Sequence, residues 1–177
     1  MASELLFRTM EQNKIETDKK TLTIFTPTYN RAYTLHLGYE ALSRQTCKDF
    51  IWLIVDDGST DDTLEWVEKW IAERKIDIRY HYQENQGMHA AHNTAYRLID
   101  TELNTCVDSD DYMPDDAVEK IITFWNAHTS RIPMARRHIP LQSARQAVRG
   151  SRVSVVPSSV VRSSGQTAAW AIASRLE

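Results

Sequence analysis

Only two cysteines, Cys47 and Cys106, occur in 177 residues, and they show no Cys-x-x-Cys spacing. A disulfide framework is thereby excluded, and a sulfur-rich zinc module or dithiol redox motif has no support. Both read as ordinary reduced thiols. Long apolar runs are also missing: the longest, Phe50 to Val55, is far shorter than a membrane span, and residues 1–20 hold no apolar run of signal-peptide length. The expectation is a soluble, cytoplasmic chain with no transmembrane segment. Glycine is scarce, five residues in all, and none lies in TPTYNRAY behind the first apolar run. A nucleotidyltransferase reading, which needs a Gly-rich basic phosphate loop at that place, therefore ranks low.

Lys, Asp, Asn, Phe and Tyr are absent from residues 131–177, and the charge reverses there. Residues 1–130 carry 13 Lys and Arg against 23 Asp and Glu, a balance of −10. Residues 131–177 carry 8 Arg against 1 Glu, or +7, and the two sum to the −3 of the whole chain. So abrupt a change marks a boundary near Ser130. The chain divides into a polar leader (1–20), a folded domain (21–130) and an Arg/Ser-rich tail (131–177). The tail's arginines group on no helix or strand face, with Trp170 the one aromatic among them, so nucleic-acid binding is not expected. Its composition is what translation in a shifted frame would produce; a divergent natural terminus is the other reading. Lacking a steady period of 2 or 3.6, the tail is expected to be poorly packed or disordered.

What is present is an alternation of strand and helix signals. TLTIFT (Thr21 to Thr26), ended by Pro27, reads as a first strand, and Thr34 as the cap of a helix with Leu35, Tyr39 and Leu42 on one face. FIWLIV (Phe50 to Val55) is apolar on both faces, as central parallel strands are. A helix capped by Ser59 or Asp61 follows, with Leu64, Val67 and Ile71 as its stripe. IDIRYHY (Ile76 to Tyr82) is a third strand, and the next helix carries Ala91, Ala95 and Leu98 at helical spacing. NTCV is a short fourth strand. Pro114 opens a last helix with Asp115 and Asp116 in its first turn and Val118, Ile121, Ile122 and Trp125 on one side. This βαβαβαβα order predicts an α/β domain whose mostly parallel sheet binds ligands at the carboxyl ends of its strands.

Three loops at those ends carry polar groups that packing does not require: PTYNR, DDGST and DSDD. CVDSDDYMPDD alone crowds five aspartates into eleven residues. Like charges so close repel, and a divalent cation shared with a substrate diphosphate would relieve Asp108, Asp110 and Asp111. Solvated surface acids are the plainer alternative. His89 and His92 stand at i, i+3 with no third ligand nearby in sequence, and read as helix-surface histidines rather than a zinc pair.

Four blocks, TIFTPTYNRAYTL, SRQT with DFIWLIVDDGSTDDT, ENQGMHAAHNTAY and CVDSDDYMPDDAVEKI, resemble in order and spacing those of family 2 glycosyltransferases with the GT-A fold, a Rossmann-like fold. The likeness runs from Thr21 to about His128, leaving the fold incomplete on its C-terminal side. Asp56, at a strand-to-helix turn, reads as a cap of the following helix. The resemblance implies that Pro27 and Tyr29 line a nucleotide base and that Asp57 accepts from uracil N3–H, with helix capping as the alternative for Asp57. It further implies that Asp108 and Asp110 form an Asp-x-Asp pair contacting the ribose and a Mn²⁺ or Mg²⁺ ion on the diphosphate. Where the family often has Lys or Arg after the glycine, this chain has Met88, with His89 beside it as the phosphate contact, an imidazole only partly cationic near neutral pH. The implied activity is inverting transfer from a nucleoside diphosphate sugar to an acceptor hydroxyl. The family's catalytic base lies beyond the Asp-x-Asp block and has no counterpart that can be named here, so a catalytically incomplete remnant that binds nucleotide is the alternative.

Overall fold

The computed structural model describes residues 19–111, 113–129 and 155–158. The leader up to residue 18 and most of the tail lie outside the described residues. Strands β1 (Leu22–Thr28), β2 (Phe50–Asp56), β3 (Asp77–Tyr82) and β4 (Leu103–Cys106) alternate with helices α1 (Ala32–Ser43), α2 (Thr63–Glu73), α3 (Met88–Leu98) and α4 (Ala117–Thr129). A fifth strand, β5 (Val155–Pro157), comes from the tail. The sheet order is β3-β2-β1-β4-β5, parallel throughout except for antiparallel β5.

The central strands are apolar toward both sides because helices cover both. Leu22, Ile24, Phe50, Trp52, Ile54 and Leu103 join α1, α2 and α4 in the larger core. Phe25, Leu53 and Val55 meet Ala91 and Ala95 of α3 in the smaller one. In the larger core Tyr39, Trp52 and Trp70 form a mutually stacked cluster, with ring centroids 4.7 Å apart for Tyr39–Trp70, 5.9 Å for Trp52–Trp70 and 6.4 Å for Tyr39–Trp52. β3, an edge strand, alternates exposed and half-buried residues from Asp77 to Tyr80, as its sequence announces, and then departs from it with His81 half-buried and Tyr82 exposed.

Several local expectations change. β1 continues through Pro27 to Thr28 instead of stopping before the proline. The Phe25 carbonyl accepts from Val107 N and the Thr28 carbonyl from Asp57 N, so Pro27, two residues after Phe25, turns its missing N–H toward the side where β4 pairing has ended. β3 begins at Asp77 and β4 closes at Cys106, each a residue from the expected limit. α1 starts at Ala32, and Thr34 Oγ1 donates to the Arg31 carbonyl instead of capping. On α2 the buried face is Thr63, Val67 and Trp70, leaving Leu64 and Ile71 exposed, because the indole joins the aromatic cluster. On α3 Leu98 is exposed, and His92 and Thr94 are buried beside Ala91 and Ala95. α4 opens at Ala117, after a turn at Asp115 and Asp116. Gln45 holds that opening: its Oε1 accepts from Val118 N at 3.0 Å and its Nε2 donates to the Pro114 carbonyl at 2.6 Å.

The tail also departs from expectation at its described residues. β5 pairs with β4 in the register Leu103↔Pro157, Ser158 is buried, and Asn104 Nδ2 donates to Ser158 Oγ at 3.1 Å.

Candidate active site at the carboxyl edge of the sheet

In the order β3-β2-β1-β4 the winding reverses between β1 and β4, and such a switch point opens a crevice at the carboxyl ends of the two strands. Here it lies between the Pro27–Asn30 and Val107–Asp111 segments. Thr26 fastens its floor, donating to the Val107 carbonyl at 2.7 Å while accepting from Trp52 Nε1 at 2.9 Å. A narrow cleft lined by Thr26, Trp52, Val107, Asp108, Asp111 and Met113 runs beneath the acidic loop. A roomier opening among Lys20, Cys47, Lys48, Asp49 and Glu119 sits at the opposite, amino edge, where this class of sheet does not bind its ligand.

Two polar staples lock the loops. Asn30, in the left-handed region at φ 51°, donates its N–H to Ser59 Oγ at 2.8 Å, and its Oδ1 accepts from Thr60 N at 2.7 Å. Asp61 accepts from Ala32 N and from Thr63 N and Oγ1. Burial raises the Asp61 pKa, but the Thr63 hydroxyl and the Ala32 and Thr63 amides outweigh it and hold the group below its ordinary value. The second staple is Asp57, only 3% exposed: its Oδ1 accepts from Gln83 Nε2 (2.7 Å) and Gln86 N (2.9 Å), and its Oδ2 from Gly87 N (2.7 Å). Asp56 accepts from Ser59 N and from the Tyr80 hydroxyl, so it caps the turn after β2 rather than the helix itself. Gly58, at φ 86°, is required here: a Cβ would lie 2.9 Å from Asn85 N.

The residues singled out in the sequence take different stations. Pro27 is half-buried in β1, and Tyr29 is 48% exposed on the loop beyond. His89 is exposed in the first turn of α3, which starts after Gly87 without a side-chain cap. Asp108 and Asp110 are exposed on the turn closed by Asp111 N to the Asp108 carbonyl. The structure gathers a trio around Asp108 that the linear sequence hides: one ligand atom each of His92, Cys106 and Asp108 lie within 4.8 Å of one another. His92 is buried, against the expectation of a surface histidine, with its ring edge-on to Phe25. Burial pushes its pKa down, with the Asp108 carboxylate pulling the other way. Burial, then the Asp108 carboxylate, raises the Cys106 thiol well above its usual range. Gln83, Gln86 and Asn30 were also missed, since glutamine and asparagine in loops carry no signal until the loops they join are in contact.

A doubly wound sheet with acidic and aromatic loops meeting at its switch point defines a ligand-binding α/β domain of the GT-A type. The family model described as glycosyl transferase family 2 matches residues 23–170, and the chain belongs to that family. The match crosses the compositional boundary near Ser130. Similar curated proteins include a chondroitin synthase of Escherichia coli, 38% identical over 98 residues (55% of this chain), and the glycosyltransferase GlyA of Streptococcus pneumoniae, 36% identical over 100 residues (56% of this chain). The matched part spans 14% of each of these relatives. Among solved structures, S. aureus TarS in complex with UDP is 29% identical with a TM-score of 0.57, over 61% of this chain and 32% of that one. The mannosyltransferase PcManGT of Pyrobaculum calidifontis, solved with GDP-Man and Mn²⁺, shares the fold at a TM-score of 0.63 and 18% identity, over 84% of this chain and 48% of that one. No helix among the described residues is long and apolar enough to cross a membrane.

Proposed function

We propose that the crevice binds a uridine diphosphate sugar together with Mn²⁺ or Mg²⁺, as the donor half of an inverting glycosyltransferase. The observation that carries this is the convergence of the Tyr29, Asp57 and Asp108 loops at the switch point of a family 2 chain, and the UDP complex of TarS supports the choice of nucleotide. Asp108 and Asp110 fit a hard cation: both are exposed carboxylates at the crevice mouth, and such an ion is held by one or two carboxylates with phosphate oxygens completing its shell. When bound, the ion offsets negative charge on the departing diphosphate. Tyr29 presents an exposed ring for the base. Asp57 accepts three internal hydrogen bonds, and a carboxylate has about four acceptor positions, so one remains for a base N–H. His89 and the uncapped first turn of α3 favour phosphate in place of the missing Lys.

A second reading, binding without transfer, is favoured by the acids after Asp116. Glu119, the one described acid there, accepts from Thr46 Oγ1 at 2.8 Å and lines the opening at the amino edge, remote from the crevice. Calorimetric titration with UDP in Mn²⁺ and in a chelator tests the donor reading. Binding is expected to depend on the ion, and Asp110→Ala to weaken that dependence. Equal affinity with ion and with chelator would sink it. Sugar transfer to any acceptor hydroxyl would remove the second reading.

A further inference from the structure

The trio at the end of β4 has a different chemistry from the exposed acids. Cys106 Sγ lies 3.6 Å from Asp108 Oδ1, where the thiol donates to the carboxylate. That separation equals the tetrahedral edge, ~3.6 Å, between sulfur at ~2.3 Å and oxygen at ~2.1 Å from a common zinc ion. The independent observation is His92: it is only 9% exposed, one of its ring nitrogens stands within 4.8 Å of the ligand atoms of both partners, and its Nδ1 has no hydrogen-bond partner among the described residues. Buried polar nitrogens are nearly always paired, so an orphan on a ring that stands beside a thiol and a carboxylate calls for a ligand. Its ring neighbours are Phe25, edge-on at 5.4 Å and without an acceptor, and Tyr96, tilted at 6.5 Å, and neither pairs with Nδ1.

We propose that His92, Cys106 and Asp108 form a three-residue site for a thiophilic divalent cation, with Zn²⁺ as its natural occupant and a fourth position left open. One sulfur, one imidazole nitrogen and one carboxylate oxygen match zinc, whereas magnesium and manganese prefer all-oxygen shells. On binding, the S–H bond of Cys106 gives way to a sulfur–metal bond and its proton leaves to solvent; no electrons are transferred. The metal also cancels the repulsion that a thiolate would otherwise meet from Asp108. Because Asp108 belongs to both sets, an ion seated here withdraws it from the hard cation, so Zn²⁺ antagonises Mn²⁺-supported UDP binding. That consequence rests on the donor reading above; the cation site does not.

The full chain is titrated with Co²⁺ as a spectroscopic substitute, without nucleotide. A near-ultraviolet sulfur-to-cobalt band that Zn²⁺ abolishes is expected. Cys106→Ala should lose the band and lower Zn²⁺ affinity by about tenfold or more, while Cys47→Ala keeps both. Absence of the band in the unmodified chain, or its survival in Cys106→Ala, overturns the site. Zinc-edge X-ray absorption of the unmodified chain gives a readout that needs no variant: a sulfur scatterer in the inner shell is expected, and a shell of nitrogen and oxygen alone overturns it. If the band appears but UDP affinity in Mn²⁺ does not respond to Zn²⁺, the site stands and only the antagonism falls. If UDP does not bind at all, the donor reading fails while the cobalt result still decides the site.

Discussion

On the donor reading, Asp57 would join two jobs in one buried carboxylate. Its three internal acceptor contacts tie the turn after β2 to the loop before α3, and they set the wall on which a base would lie. Asn at this position keeps the shape but offers one acceptor oxygen instead of two, and places an NH₂ against a backbone N–H. Asp57→Asn should therefore cost about 1–3 kcal/mol of stability, the usual penalty for an unsatisfied buried donor, measurable by urea denaturation. Titration with two nucleotides separates the jobs. UDP should weaken more than a diphosphate whose base lacks the N3–H donor; equal weakening would make Asp57 a loop anchor alone.

At the scale of elements, the acidic loop depends on how α4 begins. The chain from Asp108 to Asp116 is held below by buried Met113 and at its far end by Gln45, which binds the Pro114 carbonyl and the Val118 amide across 69 and 73 residues of sequence. Gln45→Ala leaves the buried Val118 amide and the part-buried Pro114 carbonyl without that partner, so a loss of about 1–3 kcal/mol is expected on urea unfolding. The same variant should weaken Mn²⁺-dependent UDP binding, although Gln45 stands apart from the exposed acids. A variant with unaltered stability would show that the start of α4 is held by packing alone.

At the scale of the whole molecule, the question is what completes the sheet beyond β4. Without β5, β4 is an exposed edge, and Asn104 loses its bond to Ser158. A chain ending at residue 130 is accordingly expected to melt at a lower temperature than the full chain and to associate more readily, checked by thermal unfolding and light scattering side by side. Equal melting temperatures would mean that β5 adds nothing to the domain. In limited proteolysis the residues around 155–158 should be protected together with the core, despite the arginines on either side.

Amino-acid order by itself determined the alternation of β and α elements, the near-continuous burial of β1 and β2, and the gathering of polar loops at the strand ends. Those properties follow from side-chain polarity and period over short windows. It also placed Asp57 and Asp108 on those strand-end loops, because the loops follow apolar runs directly. Tertiary structure alone decided which face of α2 and α3 is buried: the aromatic cluster recruited Trp70 over Ile71, and the approach to Phe25 buried His92. It decided that Pro27 stays in β1, since tolerance of a missing N–H depends on whether a neighbouring strand is present to ask for it. It brought Gln45 to α4, Asn30 to Thr60 and Cys106 to His92. Each of these contacts joins residues remote in sequence, and such closeness is a property of how the strands are ordered, which no local window of the chain contains.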